Sequence, residues 1–395
     1  EREIAAQQAE YAKWRAEKKV SSPKVEVAYF GAVDAGARYR GVRATARLGE
    51  GDVLTELPRA ACIVLLDGAD LPFPEFVSDQ LWAKLGEKKK WAVKVALNLL
   101  HEVSLGEAGM FHLYLGQLPQ EFDLLSSWTD EELKWMQYAP VTRAAEAQRV
   151  EDEDAYALLR QYSPATPVDR AQLVWALNMV RSRVFSGRLS QANAKAKAAL
   201  LPKALAAGTV LAAFLSAQSK EGRWLSVFAM LALVVFDQEP AAEEGASQLA
   251  YVLMPMVDCY NHRTMDKTEF EFSSDAFRLR APRAVSQGEE VLISYGLLGN
   301  DELAVRYGFV DGSNTADVFA YEGLLAWLQA NHEPMKRSLG AAPDRMGAMR
   351  EARLESYISM GVLTADGTAD SNLLWALRVL MATPEEWTAA GGKAE

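Results

Sequence analysis

The feature that most constrains the fold is the placement of the strand-like segments, which form two groups separated by a long stretch of helical pattern. The first group follows Lys24, where short apolar runs alternate with turn residues and predict three or four strands. The second group runs from Leu249 to Gly296. The chain is therefore predicted to be an α+β protein whose β region is split by a helical insertion and followed by a helical tail.

Five parts follow from this pattern. They are an N-terminal helix (1–23), the first part of the β region (24–80), the insertion (81–247), the second part of the β region (248–312) and a helical domain (313–395). Within the insertion, a helix is predicted from Asp169 to Phe185, and another begins near Thr129 or Ser127, either of which can serve as its N-cap. In the tail, helical pattern is predicted from Asp317 to Trp387.

The segment 187–247 is an unusual, Ala-rich part of the insertion. It contains two apolar runs, Leu205–Ala217 and Leu225–Phe236. Because a bilayer requires about 20 apolar residues, the second run is too short to span one. Both runs are predicted to be buried helices, and no membrane partner is expected.

Composition excludes several classes of function. Asp and Glu number 53 against 42 Lys and Arg, which gives a net charge of −11. Since nucleic-acid affinity comes largely from clustered cations, a nucleic-acid partner is disfavoured, and the basic surface of a protein would fit better. The cysteines, Cys62 and Cys259, form no CxxC pair, and none of the four His residues is spaced as HxxxH. No metal is therefore predicted, and the chain is expected to be a monomer in a reducing compartment.

The stretch LMPMVDCYNHR places three polar residues, Asp258, Asn261 and His262, directly behind an apolar run that predicts a buried strand. Polar groups so near a core require partners. A metal site, a proton relay, a cofactor clamp and a hydrogen-bonded turn are all possible, although the scarcity of His and Cys argues against the metal.

The stretch QGEEVLISYGLLGNDELAVRYGFV contains a turn, a strand that ends at Tyr295, and a short helix followed by Tyr307 and Phe309. Taken alone, the two tyrosines are most simply strand-end residues with hydroxyl groups that face water.

In combination, these stretches resemble the SET-domain protein methyltransferases. The closest branch is that of Rubisco large-subunit lysine methyltransferase, in which a helical insertion interrupts the SET domain and a helical substrate-binding domain follows it. Recognisable stretches run from about residue 24 to residue 387. The motifs that carry the resemblance are GVRATARLGEGDVLTELP, the SRVF of residues 182–185, PMVDCYNHR, GEEVLISYG and RYGFV.

The resemblance implies a knotted core of small sheets, one of the rare exceptions to unthreaded topology. S-adenosyl-L-methionine and a protein side chain would enter this core from opposite faces. The implied reaction is a metal-free transfer of a methyl group to a side-chain nitrogen. Tyr295 matches the family's active-site tyrosine, which acts mainly by aligning the reacting groups.

The resemblance also implies residues that bind the cofactor. Asn261 and His262 match the cofactor clamp, and Phe309 is expected to pack near the adenine. In relatives a glycine-rich loop reads EGxGLRA, whereas residues 38–44 here are RYRGVRA. Arg38, Tyr39 and Arg40 therefore occupy cofactor-binding positions, and Gly41 is retained. Because Tyr permits neither close backbone approach nor positive φ as Gly does, this departure lowers the expected cofactor affinity.

On the substrate side, the resemblance implies roles for Arg183, Asp258 and Tyr307. Asp258 falls at a substrate-side position, and Tyr307 matches the second tyrosine of the lysine channel. Arg183 matches the arginine of the SRxF motif, which contacts substrate or holds the cofactor carboxylate by a bidentate fork. A salt bridge at the end of a helix is the simpler alternative for Arg183.

Phe185 bears on which nitrogen is methylated. Relatives that methylate histidine have Asn at this position, whereas a phenyl ring offers an apolar wall for the lysine stem. The sequence therefore predicts a lysine N-methyltransferase that acts on a non-histone protein substrate, in the chloroplast or alternatively in the cytoplasm or nucleus. The other hypotheses are a histidine N-methyltransferase of the same branch and a catalytically silent SET-fold binding protein.

Overall fold

The computed structural model describes residues 2–31, 39–190, 248–331, 344–354 and 360–391. Arg38 lies outside the described residues, as do the two apolar runs of the Ala-rich segment. No helix of the described part of the chain is both long and apolar enough to cross a membrane.

The helices and strands are numbered in chain order over the described residues. The α-helices are α1 (Arg2–Glu17), α2 (Asp79–Glu87), α3 (Trp91–Ser104), α4 (His112–Leu115), α5 (Asp130–Leu133), α6 (Ala139–Tyr162), α7 (Arg170–Arg183), α8 (Asn300–Tyr307), α9 (Leu324–Asn331), α10 (Asp344–Glu351), α11 (Ser371–Met381) and α12 (Pro384–Ala389). The strands are β1 (Val25–Phe30), β2 (Tyr39–Ala44), β3 (Val53–Pro58), β4 (Ile63–Leu66), β5 (Val184–Arg188), β6 (Leu249–Leu253), β7 (Asn261–His262), β8 (Phe270–Phe272), β9 (Ala276–Arg280), β10 (Leu292–Ile293), β11 (Val318–Glu322) and β12 (Met360–Thr364).

The two groups of strands that the sequence separates pair with each other. One sheet has the order β4-β6-β5 and a second has the order β3-β9-β8, so each combines strands from both sides of the insertion. β1 and β2 form an antiparallel pair, and β7 lies parallel to β10. The predicted split β region is therefore confirmed.

Two large hydrophobic clusters support this arrangement. One lies among the strands and includes Leu54, Val252 and Ile293, and the other lies in the insertion, where α1 also packs through Tyr11 and Trp14. One of the two predicted caps, Thr129, and the predicted helix start at Asp169 both coincide with helix starts in the structure. Thr129 caps α5 and Asp169 caps α7, each in a capping box that satisfies backbone N–H groups at the helix start.

Two predicted elements are wrong in part. The helix predicted to reach Phe185 ends at Arg183, because Val184 and Phe185 pair with Leu253 and Val252 as part of β5. The tail predicted to be helical from Asp317 to Trp387 contains β11 and β12, which pair antiparallel. Both misassigned segments are short apolar runs, for which periodicity alone does not distinguish strand from helix.

Candidate active site

The site is built around the turn that follows β6. Met256 in this turn is fully buried and has a φ of 76°, a conformation that non-glycine residues rarely adopt. Asp258 and Cys259 follow in a buried 3₁₀ turn, and the chain then enters β7. Since β7 pairs with β10, the DCYNH and SYG motifs lie side by side, as the resemblance implies.

Tyr295 closes this arrangement. Its hydroxyl group donates a hydrogen bond to the carbonyl oxygen of Tyr260 at 2.7 Å, and its ring lies 4.7 Å from that of Tyr307, centroid to centroid. Burial is the main cause that raises the pKa of Tyr295 above its ordinary value. Burial likewise raises the pKa of Tyr307. Both phenols are therefore protonated near neutral pH and act as neutral hydrogen-bonding groups.

Two cavities meet at these tyrosines. The first cavity, of about 500 Å³, is lined by Tyr29, Arg40, Asn261, Phe309 and residues of the segment 117–124. The second cavity, of about 520 Å³, is lined by side chains that include Phe185, Tyr260, Phe270 and Leu297. Both cavities are bounded by the same five residues, here called the partition: Ser182, Arg183, Asp258, Tyr295 and Tyr307.

Arg183 lies in the partition, and one of its N–H donors has no partner within the described structure. Its Nη1 donates to the backbone oxygen of Asp258 at 2.7 Å. Its Nε is buried and has no hydrogen-bond partner in the described structure. Because an unpaired buried donor costs free energy, this guanidinium is suited to a ligand that supplies an acceptor. The alternative of a helix-end salt bridge has no support, since the described contact of Arg183 is to a backbone oxygen.

Asn261 lines the first cavity and also links two other segments of the chain by hydrogen bonds. Its Nδ2 donates to the backbone oxygen of Arg40 at 2.9 Å and to Glu290 Oε1 at 2.8 Å. Both amide hydrogens are thus used within the protein, and Oδ1 is the atom left for a ligand. A Cβ at Gly41 would collide with Glu290 Oε1 and with this amide, which explains the glycine there.

Tyr39 does not obstruct the first cavity. The side chain is half exposed, and its hydroxyl donates to Glu290 Oε2 at 3.0 Å. It lines neither cavity, so the predicted contact between the Tyr39 side chain and a cofactor has no geometric support. Arg40 does line the first cavity, and its Nη1 donates to the backbone oxygen of Gln117 at 2.6 Å.

The imidazole of His262 supports the backbone at Tyr295. Its Nδ1 accepts a hydrogen bond from the backbone N–H of Tyr295 at 3.0 Å, so Nε2 carries the proton and donates to Thr264 Oγ1 at 3.2 Å. Burial lowers the pKa of His262, which favours this neutral form. His262 lines neither cavity, so its predicted contact with a cofactor has no geometric support.

Phe185 and Phe309 lie on opposite sides of the partition. Phe185 lines the second cavity and packs against Phe270 with ring centroids 4.9 Å apart. Phe309 lines the first cavity and is 36% exposed, which leaves its ring free to cover a ligand. The two rings therefore line different cavities, and their roles toward substrate and cofactor stay predictions.

The segment 117–124 of the insertion is the part of the site that sequence reasoning missed. It supplies one wall of the first cavity, and it touches the chain beside Tyr307. A Cβ at Gly308, which has a φ of 76°, would lie 2.5 Å from the backbone oxygen of Asp123. The glycine of RYGFV was the available signal, because it permits this close approach.

Over the described ranges, no group of three or more His, Cys, Asp or Glu side chains could hold a metal ion.

Comparison with solved structures tests the expected fold. No family model matches the chain. A solved structure of Rubisco LSMT bound to sinefungin and monomethyllysine superposes with a TM-score of 0.56 over 97% of this chain and 72% of that chain, at 20% sequence identity. The α+β fold expected from the SET motifs is thereby confirmed.

The sequence of the chain is also similar to those of several curated enzymes. It is 26% identical over 294 residues to [fructose-bisphosphate aldolase]-lysine N-methyltransferase, chloroplastic, of Arabidopsis thaliana. This match covers 69% of this chain and 46% of that protein. It is 26% identical over 246 residues to the ribulose-1,5 bisphosphate carboxylase/oxygenase large subunit N-methyltransferase, chloroplastic, of Pisum sativum, covering 57% of this chain and 38% of that protein. A shorter match, 34% over 96 residues, is to an actin-histidine N-methyltransferase of Drosophila melanogaster and covers 24% of this chain and 18% of that protein.

The chain thus spans less than half the length of these curated relatives. The relationship to SET-domain lysine methyltransferases that the motifs indicate is confirmed by the relatives and the solved structure together. The roles of the individual site residues stay predictions.

Proposed function

We propose that the protein is an S-adenosyl-L-methionine-dependent protein-lysine N-methyltransferase, in which the cofactor occupies the first cavity and the target lysine enters the second. The observation that carries the proposal is the pair of cavities that share one partition containing Tyr295. Two reactants held on opposite sides of such a partition would meet end to end, as in-line displacement requires.

The first cavity fits the cofactor chemically. Arg40 and Arg183 supply cations for the α-carboxylate, and the unpaired Nε of Arg183 is a donor in need of an acceptor. Asn261 Oδ1 can accept from the α-amino group, and the exposed ring of Phe309 can cover the adenine. Because Tyr39 is turned away, its side chain does not fill this cavity. That placement disfavours the hypothesis of a catalytically silent binding protein.

The second cavity fits a lysine side chain. Phe185, Phe270 and Tyr260 provide aromatic walls for four methylene groups. An apolar lining disfavours the charged ammonium and so promotes loss of its proton before attack. The neutral hydroxyl groups of Tyr295 and Tyr307 can steer the amine toward the partition.

When bound, S-adenosyl-L-methionine would supply a methyl group on a sulfonium, and S-adenosylhomocysteine would be its product. Tyr295 remains protonated throughout, because burial raises the pKa of its phenol. Its hydrogen bond to the Tyr260 carbonyl fixes the hydroxyl oxygen at the partition. The contribution of these residues is alignment and exclusion of water rather than acid–base chemistry.

Lysine is favoured over histidine as the target. Phe185 has no polar atom to bond an imidazole nitrogen, and its contact with Phe270 keeps the ring against the cavity wall. The match to an actin-histidine enzyme makes the histidine alternative worth testing, although it covers only 24% of this chain. We further propose a chloroplast protein as substrate, since two relatives bear the description chloroplastic.

The proposal is tested by incubating the full chain with methyl-labelled S-adenosyl-L-methionine and a protein extract of the source organism. Acid hydrolysis of the labelled band should yield Nε-methyllysine. Methylhistidine in the hydrolysate would show that the target is histidine and not lysine. Absence of cofactor binding at millimolar concentration in a calorimetric titration would instead support the silent binding protein.

A further inference from the structure

Tyr114 connects the helical insertion to the partition. It lies in α4 and is only 1% exposed. Its ring stacks on the indole of Trp14 from α1, with centroids 6.5 Å apart and planes at 14°. Trp14 is fixed in turn by a hydrogen bond from Nε1 to the backbone oxygen of Met110 at 2.9 Å. The ring of Tyr114 is therefore held by both the N-terminal helix and the insertion.

The hydroxyl of Tyr114 reaches Asp258. It donates a hydrogen bond to Oδ2 of this carboxylate at 3.1 Å, in a fully buried contact. Burial, followed by the charge of Asp258, raises the pKa of the phenol well above its ordinary value, so it keeps its proton and remains a donor. Tyr114 is outside the SET motifs and lines neither cavity.

The other neighbours of the Asp258 side chain are weaker. The Cys259 thiol lies 3.6 Å from Oδ1, and burial raises the pKa of this thiol to about 12, so it is a neutral and poor donor. Arg183 donates to the backbone oxygen of Asp258 rather than to the carboxylate. In the described part of the chain, Tyr114 thus supplies the strong hydrogen bond that can fix the orientation of this carboxylate.

Asp258 lines both cavities, and the second of them also has aromatic walls from Phe185 and Phe270. A lysine amine that reaches this point meets the carboxylate as an acceptor, and such charge-assisted hydrogen bonds depend on direction. A carboxylate free to rotate would present its oxygens in several orientations. Tyr114 occupies Oδ2, whereas Oδ1 has only the weak thiol donor of Cys259 and so keeps acceptor capacity for a ligand.

We propose that Tyr114 is a positioning residue of the lysine site, which acts by fixing the Asp258 carboxylate that receives the lysine amine. This inference rests on the proposed function, because it takes the second cavity as the lysine site. It assigns to the insertion and to α1 a part in substrate recognition, in addition to their part in packing.

The test is a calorimetric titration of free L-lysine into the full chain saturated with S-adenosylhomocysteine. Tyr114→Phe keeps the ring and its stacking on Trp14 and removes only the hydroxyl. We expect it to weaken lysine binding by about five- to tenfold, the loss of one charge-assisted hydrogen bond, while S-adenosylhomocysteine binding stays within about twofold. Tyr138→Phe is the matched control, because it deletes a hydroxyl that bonds the backbone N–H of Ala320, and it should leave both affinities unchanged.

A double-mutant cycle separates positioning from general structure. If Tyr114 acts through Asp258, Tyr114→Phe should change lysine affinity by less than about twofold in an Asp258→Asn background. Trp14→Phe is the second variant should Tyr114→Phe fail to fold. It keeps the hydroxyl but loosens the ring, and it should weaken lysine binding by about two- to threefold only when Asp258 is present.

The outcomes are distinguishable. Lysine binding by Tyr114→Phe that equals the wild type, or an equal loss in the Asp258→Asn background, would overturn the role of Tyr114 and leave the proposed function intact. A parallel loss of S-adenosylhomocysteine affinity would show a merely structural role and also overturn it. If the wild type itself binds no lysine while binding S-adenosylhomocysteine, the assignment of the second cavity fails, and this inference fails with it.

Discussion

The two cavities have nearly the same volume, about 500 and 520 Å³, yet their linings differ in kind. The first presents charged side chains of both signs, including Arg40, Glu121 and Asp123. The second exposes more apolar surface, including the rings of Phe185 and Phe270. Size alone therefore cannot assign their occupants. The difference in lining is the basis for proposing a zwitterionic ligand in the first cavity and an aliphatic stem in the second.

The cavities also differ in which parts of the chain build them. The first combines β2, the insertion segment 117–124 and the residues after α8. The second is formed mainly by β5, the turn after β6 and the chain around Tyr295. Substitutions that affect one ligand should therefore spare the other, except at the partition.

The largest effect is expected at the partition. Tyr295→Phe should lower turnover by roughly one to three decades, since one aligned polar contact is lost at about 1.4 kcal/mol per decade. Because the ring is kept, binding of S-adenosylhomocysteine and of lysine should change by no more than about threefold. Single-turnover rates and calorimetric affinities measure the two effects separately. Full activity in this variant would remove Tyr295 from the mechanism.

The next effect is the pH dependence of the second cavity. Methylation should accelerate from about pH 7 to about pH 9, because lysine has an ordinary pKa near 10.4 and its neutral fraction grows about tenfold per unit below that value. The affinity of the first cavity for S-adenosylhomocysteine should vary far less over this range. Initial rates at saturating cofactor provide the measurement. A rate that is flat above about pH 7.5 would point to an imidazole nucleophile instead.

A smaller effect, confined to the first cavity, is expected for Asn261→Ala. This change removes two hydrogen bonds that fix Arg40 and Glu290, and it removes Oδ1 from the cavity. Lost polar partners of this kind cost about 1 to 3 kcal/mol, so cofactor binding should weaken by roughly five- to 150-fold. Lysine affinity, measured at saturating S-adenosylhomocysteine, should remain within about threefold. Unchanged cofactor affinity would reduce Asn261 to a structural turn residue.

The smallest effect concerns stability. Burial lowers the pKa of His262 in the folded chain, so the unfolded chain binds more protons as the pH falls through the ordinary value of about 6.5. The wild type should therefore lose stability below about pH 6.5, and His262→Asn should lose less over the same interval. Urea unfolding at pH 7.5 and pH 5.5 gives the comparison. An identical loss in both proteins would show that the pKa of His262 is the same in the folded and the unfolded chain, which would contradict this prediction.

The sequence predicted the partition better than the cavity walls. Asp258, Arg183, Tyr295 and Tyr307 come from four separate motifs, and the structure brings them together in the partition. The directions of side chains were less predictable. Tyr39 turns outward to Glu290, and the imidazole of His262 faces the backbone of Tyr295. Such directions depend on partners that are distant in sequence.

The role of the insertion was the least predictable part of the site. Nothing in the composition of 117–124 marks it as a cavity wall, and the contact between Tyr114 and Asp258 joins residues 144 positions apart. β5 was hidden for the same reason, because its strand state arises from pairing with β6 across the insertion. Local patterns identify elements, whereas long-range pairing decides which elements share a site.

The central claim, that two ligands occupy two cavities on opposite sides of one partition, is tested most directly by hydrogen–deuterium exchange of the full chain. S-adenosylhomocysteine alone should protect backbone amides of the segment 117–124 and of 307–309. Addition of L-lysine should then protect 264–268 and 294–297 without further change in the first set. Protection of both sets by S-adenosylhomocysteine alone, or of 117–124 by lysine, would contradict the account.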